Sequence, residues 1–230
     1  AVSEFNANGG IQVTASHNPK DYNGLKMVVT NSKPLSESQL QKIKHIAERE
    51  IFLAAILKGN KKNISKISRT RYVAKIIEFL DFKRLSGLKI VINAGNGVAG
   101  PTFDSIEEKI KQKTDLLKFI KINHNPDSNF PNGIPNPMLP ENRGATIEAI
   151  NSSKADFGIA FDGDFDRCFF FDEKGRFING EYVVGLLASI FIDREPDGKI
   201  VHDPRVIWNY NDIISASKAS AIVSKTGHAF

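Results

Sequence analysis

From residue 88 onward, short apolar runs alternate with stretches of helical period, and this alternation limits the fold more than any other feature of the chain. Leu88-Lys89-Ile90-Val91-Ile92, Leu116 to Ile122 and Ala155-Asp156-Phe157-Gly158-Ile159-Ala160-Phe161 read as strands. The stretch from the glycine-rich turn Gly95–Pro101 to about Lys113, and that from Pro140 to Ser152, read as helices. A strand–helix–strand rhythm predicts an α/β layer rather than an all-α or all-β domain. The rhythm returns near Phe177, with a helix over Glu181–Phe191, a strand over Lys199–His202 and a helix–strand pair from Ile213 to Ser224.

The N-terminal part is different. Ile11-Gln12-Val13 and Leu25-Lys26-Met27-Val28-Val29 read as strands separated by the turn-rich segment Asn18–Gly24. Leu40, Ile43, Ile46, Ala47 and Ile51 then carry a helical spacing over Ser36–Ile56. The polar stretch Lys58–Ser68 breaks that pattern, and a new helix is expected over Thr70–Leu80. Three units follow: residues 1–68, 69–175 and 176–230.

Composition excludes several classes. With 230 residues, 41% of them hydrophobic, the chain is long enough for a substantial core. It contains no apolar run long enough to span a membrane, and Ala1–Phe5 lacks the basic and apolar regions of a signal peptide. The single cysteine, Cys168, rules out an internal disulfide framework and fits a reducing cytoplasm. Its neighbours Phe169-Phe170-Phe171 predict a buried, inert thiol. The net charge of +5 is compatible with nucleic acid or with small anions. Lys42, Lys44, Lys109, Lys111 and Lys113 are scattered through helical stretches, which suits solvated faces better than a nucleic-acid groove.

The most specific local signal is Asp162-Gly163-Asp164-Phe165-Asp166-Arg167, directly after a strand. Three carboxylates at alternate positions on a tight loop offer hard oxygen ligands suited to Mg²⁺. An EF-hand register beginning at Asp162 would place Glu173 at position twelve but Arg167 at the sixth position, where glycine is needed, and strands rather than helices flank the segment. Arg167 adds a planar guanidinium able to clamp a phosphate. A second signal, Thr14-Ala15-Ser16-His17-Asn18-Pro19, sets a hydroxyl beside an imidazole at a strand end. By spacing alone it is better read as an ordinary turn serine. Gly95-Asn96-Gly97-Val98-Ala99-Gly100 matches a dinucleotide fingerprint, but no acidic residue follows at the required distance, so a tight turn is expected. Gly180-Glu181-Tyr182 could be a sugar-recognition triplet; Glu181 reads better as a carboxylate at a helix N-terminus.

Taken together, Gly9 to Pro19 with Tyr22-Asn23-Gly24-Leu25-Lys26, then Asp162–Arg167, then Ser224-Lys225-Thr226-Gly227-His228, resemble the ordered motifs of the α-D-phosphohexomutase superfamily. Phe165 and His202-Asp203-Pro204-Arg205 are most similar to bacterial phosphomannomutases. The resemblance implies a magnesium enzyme that interconverts mannose 6-phosphate and mannose 1-phosphate through a phosphoserine at Ser16 and a hexose 1,6-bisphosphate. Ser16, Asp162, Asp164 and Asp166 would hold Mg²⁺. His17, Lys26 and Arg167 would serve the transfer, and Arg205 and His228 would hold the sugar phosphate. It also implies successive mixed-sheet α/β domains, with the first and third incomplete and a fourth absent. Two alternatives stay open: a glucose-specific or dual-specificity relative, and a catalytically silent, metal-binding fragment. None of these motifs addresses the oligomeric state.

Overall fold

The computed structural model describes residues 1–52, 59–205 and 208–227. Strands β1 (Gly9–Val13) and β2 (Leu25–Val29) pair antiparallel, with Gln12 opposite Lys26. The hairpin thus brings the two ends of the loop 14–24 together, and the Thr14 amide donates to the Gly24 carbonyl at 3.0 Å. Helix α1 (Glu37–Glu48) starts at a capping box. The Ser36 hydroxyl accepts from the Gln39 amide at 3.3 Å, and the Gln39 side chain accepts from the Ser36 amide at 2.8 Å. The helix expected to run to Ile56 ends at Glu48, where the C-cap Arg49 leaves helical geometry; residues 53–56 lie outside the described residues.

Helix α2 (Ser65–Ile77) begins within the polar stretch expected to precede it, because the Asn63 side chain accepts from the Ser65 amide at 3.0 Å and satisfies a free donor of the first turn. Strands β3 (Leu88–Asn93), β4 (Leu117–Ile122), β5 (Phe157–Phe161), β6 (Cys168–Phe171) and β7 (Phe177–Ile178) form one mixed sheet in the order β4-β3-β5-β6-β7. The β3–β4 and β3–β5 pairs are parallel, and the β5–β6 and β6–β7 pairs antiparallel. Helices α3 (Ala99–Lys111) and α4 (Gly144–Ser153) complete the layers. Pro140–Asn142, expected as the first turn of α4, is instead a separate 3-10 turn.

Alternation along β3 explains the layering. Ile90 and Ile92 join Phe103, Ile110 and Leu117 in one apolar cluster, whereas Val91 joins Ile150, Ala155, Ala160 and Phe171 in another. A central strand buried on both faces is what an α/β sheet requires. Phe177–Ile178 adds an edge strand to this sheet, a little beyond the expected boundary at 175. Cys168 corrects an expectation: the residue is exposed, because it lies at the start of β6 close after the exposed Asp166. Burial of part of the side chain still pushes its thiol up.

The C-terminal unit consists of α5 (Gly180–Arg194), β8 (Lys199–His202), α6 (Trp208–Ser215) and β9 (Ser220–Val223), with β8 and β9 parallel. Glu181 sits in the first turn of α5, as its carboxylate character predicts. Among the described residues, no helix is long and apolar enough to cross a membrane.

Candidate active site

β3 and β5 are neighbouring parallel strands, and the turn after each emerges at their C-terminal ends, where open α/β sheets place ligands. After β3 comes the tight glycine turn, with Gly95 at φ +57 and Asn96 at φ +56. After β5 comes the aspartate loop 162–167, which joins β5 to the antiparallel β6. Its ends are tied together: the Asp162 amide donates to the Arg167 carbonyl at 3.3 Å, and the Arg167 amide donates to Asp162 Oδ1 at 3.1 Å. Phe165 turns the tip with φ +64 and packs edge-on against Phe161.

The loop gathers its carboxylates. One oxygen from each of Asp162, Asp164 and Asp166 lies within 4.8 Å of the others. The Ser16 loop approaches from the first unit. Ser16 Oγ lies 3.4 Å from Asp162 Oδ2 and 3.3 Å from Asp164 Oδ1. Ser16 holds a left-handed backbone, φ +55, unusual for a residue with a Cβ. Thr14 supports it: its Oγ1 accepts from the Ser16 amide at 2.8 Å and donates to Asp164 Oδ2 at 2.9 Å. Sequence reading missed this role for Thr14. The only available signal was a hydroxyl two residues before Ser16, which is common in turns.

Two cations balance the carboxylates. Lys26 Nζ donates to Asp164 and to Asp166, each at 2.9 Å. Arg167 donates through Nε to Asp162 at 2.9 Å and through Nη2 to Ser16 Oγ at 2.8 Å. Nη2 also meets His17 Nδ1, which lies 3.3 Å from Ser16 Oγ. Burial raises the Asp162 carboxyl above its usual range, with Asp166 adding to it against the pull of Arg167. Burial alone would also raise Asp166, but the bonds from Lys26 and Asp162 and the charges of Lys26 and Arg167 outweigh it and bring it down to about 2. The same bonds to Asp166 and Asp164 overcome desolvation to raise Lys26. One site thus holds carboxylates driven in opposite directions, an arrangement common where charge is handled.

The expected residues divide clearly. Ser16, His17, Lys26, Asp162, Asp164, Asp166 and Arg167 come together across the seam between the first two units. Arg205 is held within its own turn, donating to Asp203 at 2.8 Å, while Thr226 donates to the same carboxylate at 2.6 Å. These bonds lower Asp203 and raise Arg205. His228 lies outside the described residues.

Fold and site together define the class: an α/β protein that presents a serine hydroxyl to a three-carboxylate loop able to hold a divalent metal. Residues 70–175 match the family model "phosphoglucomutase/phosphomannomutase, alpha/beta/alpha domain II", and residues 1–54 match domain I of the same family. The chain belongs to the phosphoglucomutase/phosphomannomutase family. It is 50% identical over its whole length to a phosphomannomutase of Vibrio cholerae, covering 50% of that protein, and 48% identical to one of Escherichia coli, covering 51% of it. The chain therefore spans about half the length of the curated relatives it matches. A phosphoglucomutase/phosphomannomutase family protein from Burkholderia thailandensis superimposes with a TM-score of 0.84 at 29% identity, over 97% of this chain and 46% of that one.

Proposed function

We infer that this protein acts as a phosphomannomutase, carrying phosphate on Ser16 between mannose 6-phosphate and mannose 1-phosphate by way of a hexose 1,6-bisphosphate. The observation that carries the reading is the position of Ser16 Oγ, within hydrogen-bonding reach of Arg167, Asp162 and Asp164 at once. Phosphoryl transfer asks mainly for positioning and for positive charge around the phosphoryl oxygens, and this constellation offers both.

The donor set fits magnesium: hard carboxylate oxygens, mutually close, beside a hydroxyl that becomes a phosphate ester. Asp162, Asp164 and Asp166, with an oxygen of phosphorylated Ser16, would hold the ion. When bound, it neutralises phosphate charge and polarises the phosphorus. The chain's own residues do the rest. In the forward half-reaction the Ser16 Oγ–P bond breaks as a sugar hydroxyl oxygen bonds to phosphorus. The sugar oxygen gives up its proton, and the departing Ser16 Oγ receives one. His17, 3.3 Å from that oxygen, is placed to relay the sugar's proton to it, and Lys26 balances charge on Asp164 and Asp166. Arg167 steadies the phosphoryl group through Nη2. Arg205, exposed and oriented by Asp203, is assigned to the sugar phosphate, as is His228. The site takes a small hexose phosphate, and a cytoplasmic setting suits it.

The test is direct. The chain, incubated with hexose 1,6-bisphosphate and Mg²⁺, should gain one phosphate by intact mass, mapping to Ser16. Conversion of mannose 1-phosphate is then compared with that of glucose 1-phosphate. Phosphate on any other residue overturns the assignment of Ser16, and faster turnover of glucose 1-phosphate overturns the sugar.

A further inference from the structure

The glycine turn after β3 has no part in the chemistry above, yet it lies directly beneath the aspartate loop. A Cβ built on Gly97 would stand 2.6 Å from the Gly163 carbonyl oxygen and 2.9 Å from its Cα. Both are backbone atoms, so no side chain can swing aside. Val98, the N-cap of α3, makes no side-chain cap bond, and its amide donates to that same Gly163 carbonyl at 3.1 Å. On the opposite side, a Cβ on Gly163 would stand 2.4 Å from the Ser16 carbonyl oxygen. Three backbone segments therefore stack in contact: the glycine turn, the aspartate loop and the serine loop. Pro135 wedges the edge of the stack, 2.6 Å from the position of a Gly95 Cβ and 3.2 Å from that of a Gly163 Cβ. Asn96 ties the loop carrying Pro135 to the turn, its side chain donating to the Asn125 carbonyl at 2.8 Å and accepting from Asn132 at 2.9 Å.

We propose that Gly97 is a positioning residue for the metal-binding loop: by letting the Gly163 backbone rest on it, Gly97 sets the separation between the Asp162–Asp166 carboxylates and Ser16. This rests on the metal reading above. The loop is confined between two backbones, so a methyl group at 97 drives Gly163 sideways or into Ser16. Either movement spreads ligands whose placement matters to about half an ångström. Gly97 is also the clean position to probe. Gly95 needs its positive φ, whereas Gly97 does not, so alanine at 97 acts through its contact with Gly163 and not through its own φ.

The experiment titrates Mn²⁺ into the full 230-residue chain, with affinity and spectral line shape read by electron paramagnetic resonance and folding followed by thermal melting. Gly97→Ala is expected to weaken Mn²⁺ binding by about 10-fold or more, the usual scale for groups that support metal ligands, and to alter the bound-Mn²⁺ spectrum while the melt stays cooperative. Gly180→Ala, whose added Cβ meets nothing within 4 Å, should change neither. Asp164→Asn separates the two readings. If it leaves Mn²⁺ binding unchanged, the metal site itself is wrong. If it weakens binding while folded Gly97→Ala keeps the parent affinity and spectrum, only the positioning role falls. If Gly97→Ala does not fold, the decision passes to Val98→Pro, which removes the hydrogen bond to Gly163 and sets its ring Cδ against the same carbonyl, disturbing the seat of the loop without a group at 97. A folded Val98→Pro with parent Mn²⁺ affinity and spectrum overturns the proposal, and one with weakened affinity and an altered spectrum supports it.

Discussion

The Ser16 hydroxyl accepts a 2.8 Å hydrogen bond from Nη2 of Arg167, a residue 151 positions further along the chain. That contact joins the hairpin of the first unit to the β5–β6 loop of the second. Loss of the Ser16 oxygen should therefore remove the reaction and leave the fold intact. Ser16→Ala is expected to take up no phosphate by intact mass and to lose turnover of mannose 1-phosphate by about a thousandfold or more, with an unchanged melting temperature.

Thr14 is the less obvious support. Its hydroxyl serves the Ser16 amide and Asp164 together, so Thr14→Val leaves an N–H and a carboxylate each short of a partner. The expected cost is about 1 kcal/mol, a fall in melting temperature of about 2–4 °C. Because Ser16 then has less to hold its left-handed backbone, turnover should fall by about tenfold as well. Calorimetry beside initial-rate measurements checks both; a stability loss with full turnover would make Thr14 merely structural.

Lys26 holds Asp166 down to about 2. A depressed carboxyl contributes stability above its unfolded value near 3.9, and that contribution fades as the pH falls through the folded value. Lys26→Met should move the Asp166 titration up toward the ordinary range, read by carbon-13 NMR of the carboxyl group. An unmoved titration would show that Arg167 and Asp162 suffice.

A separate cluster should contribute to acid and alkaline stability. Glu107, almost buried, is bonded by Lys111 at 2.6 Å and by Lys121 at 2.8 Å, and Asp104 is bonded by Lys121 and His124, each at 2.8 Å. Burial alone would raise both carboxyls, but these bonds outweigh it and lower them, while bonds to Asp104 and Glu107 raise Lys121. The carboxyls' share of stability is complete above about pH 4.3 and lost as the pH falls through their depressed values. The lysine's share is complete below about pH 10.4 and lost as the pH rises through its raised value. Melting temperature against pH should show a plateau between these limits. Lys121→Met should lower the plateau by a few degrees and make the acid limb shallower; identical curves would dismiss the cluster.

Local chemistry in the sequence determined much of this protein. The alternation of β3, the extent of β8 and the carboxylate at the start of α5 follow from apolar period and helix-end charge, which act over a few residues. The aspartate loop was legible for the same reason: three hard ligands and an arginine at fixed local spacing after a strand. Ser16 was not legible as more than a turn serine by spacing alone, and family resemblance singled it out. What surrounds it is set by packing between distant segments. Thr14 with Asp164, Lys26 with Asp166, and Gly97 beneath Gly163 are contacts between segments far apart in the chain, set by how the first hairpin and the two βα turns meet. The exposure of Cys168 and the pairing of Phe177–Ile178 with β6 are of the same kind. Period and propensity report which face a residue presents within its own element; what lies against that face depends on packing between elements.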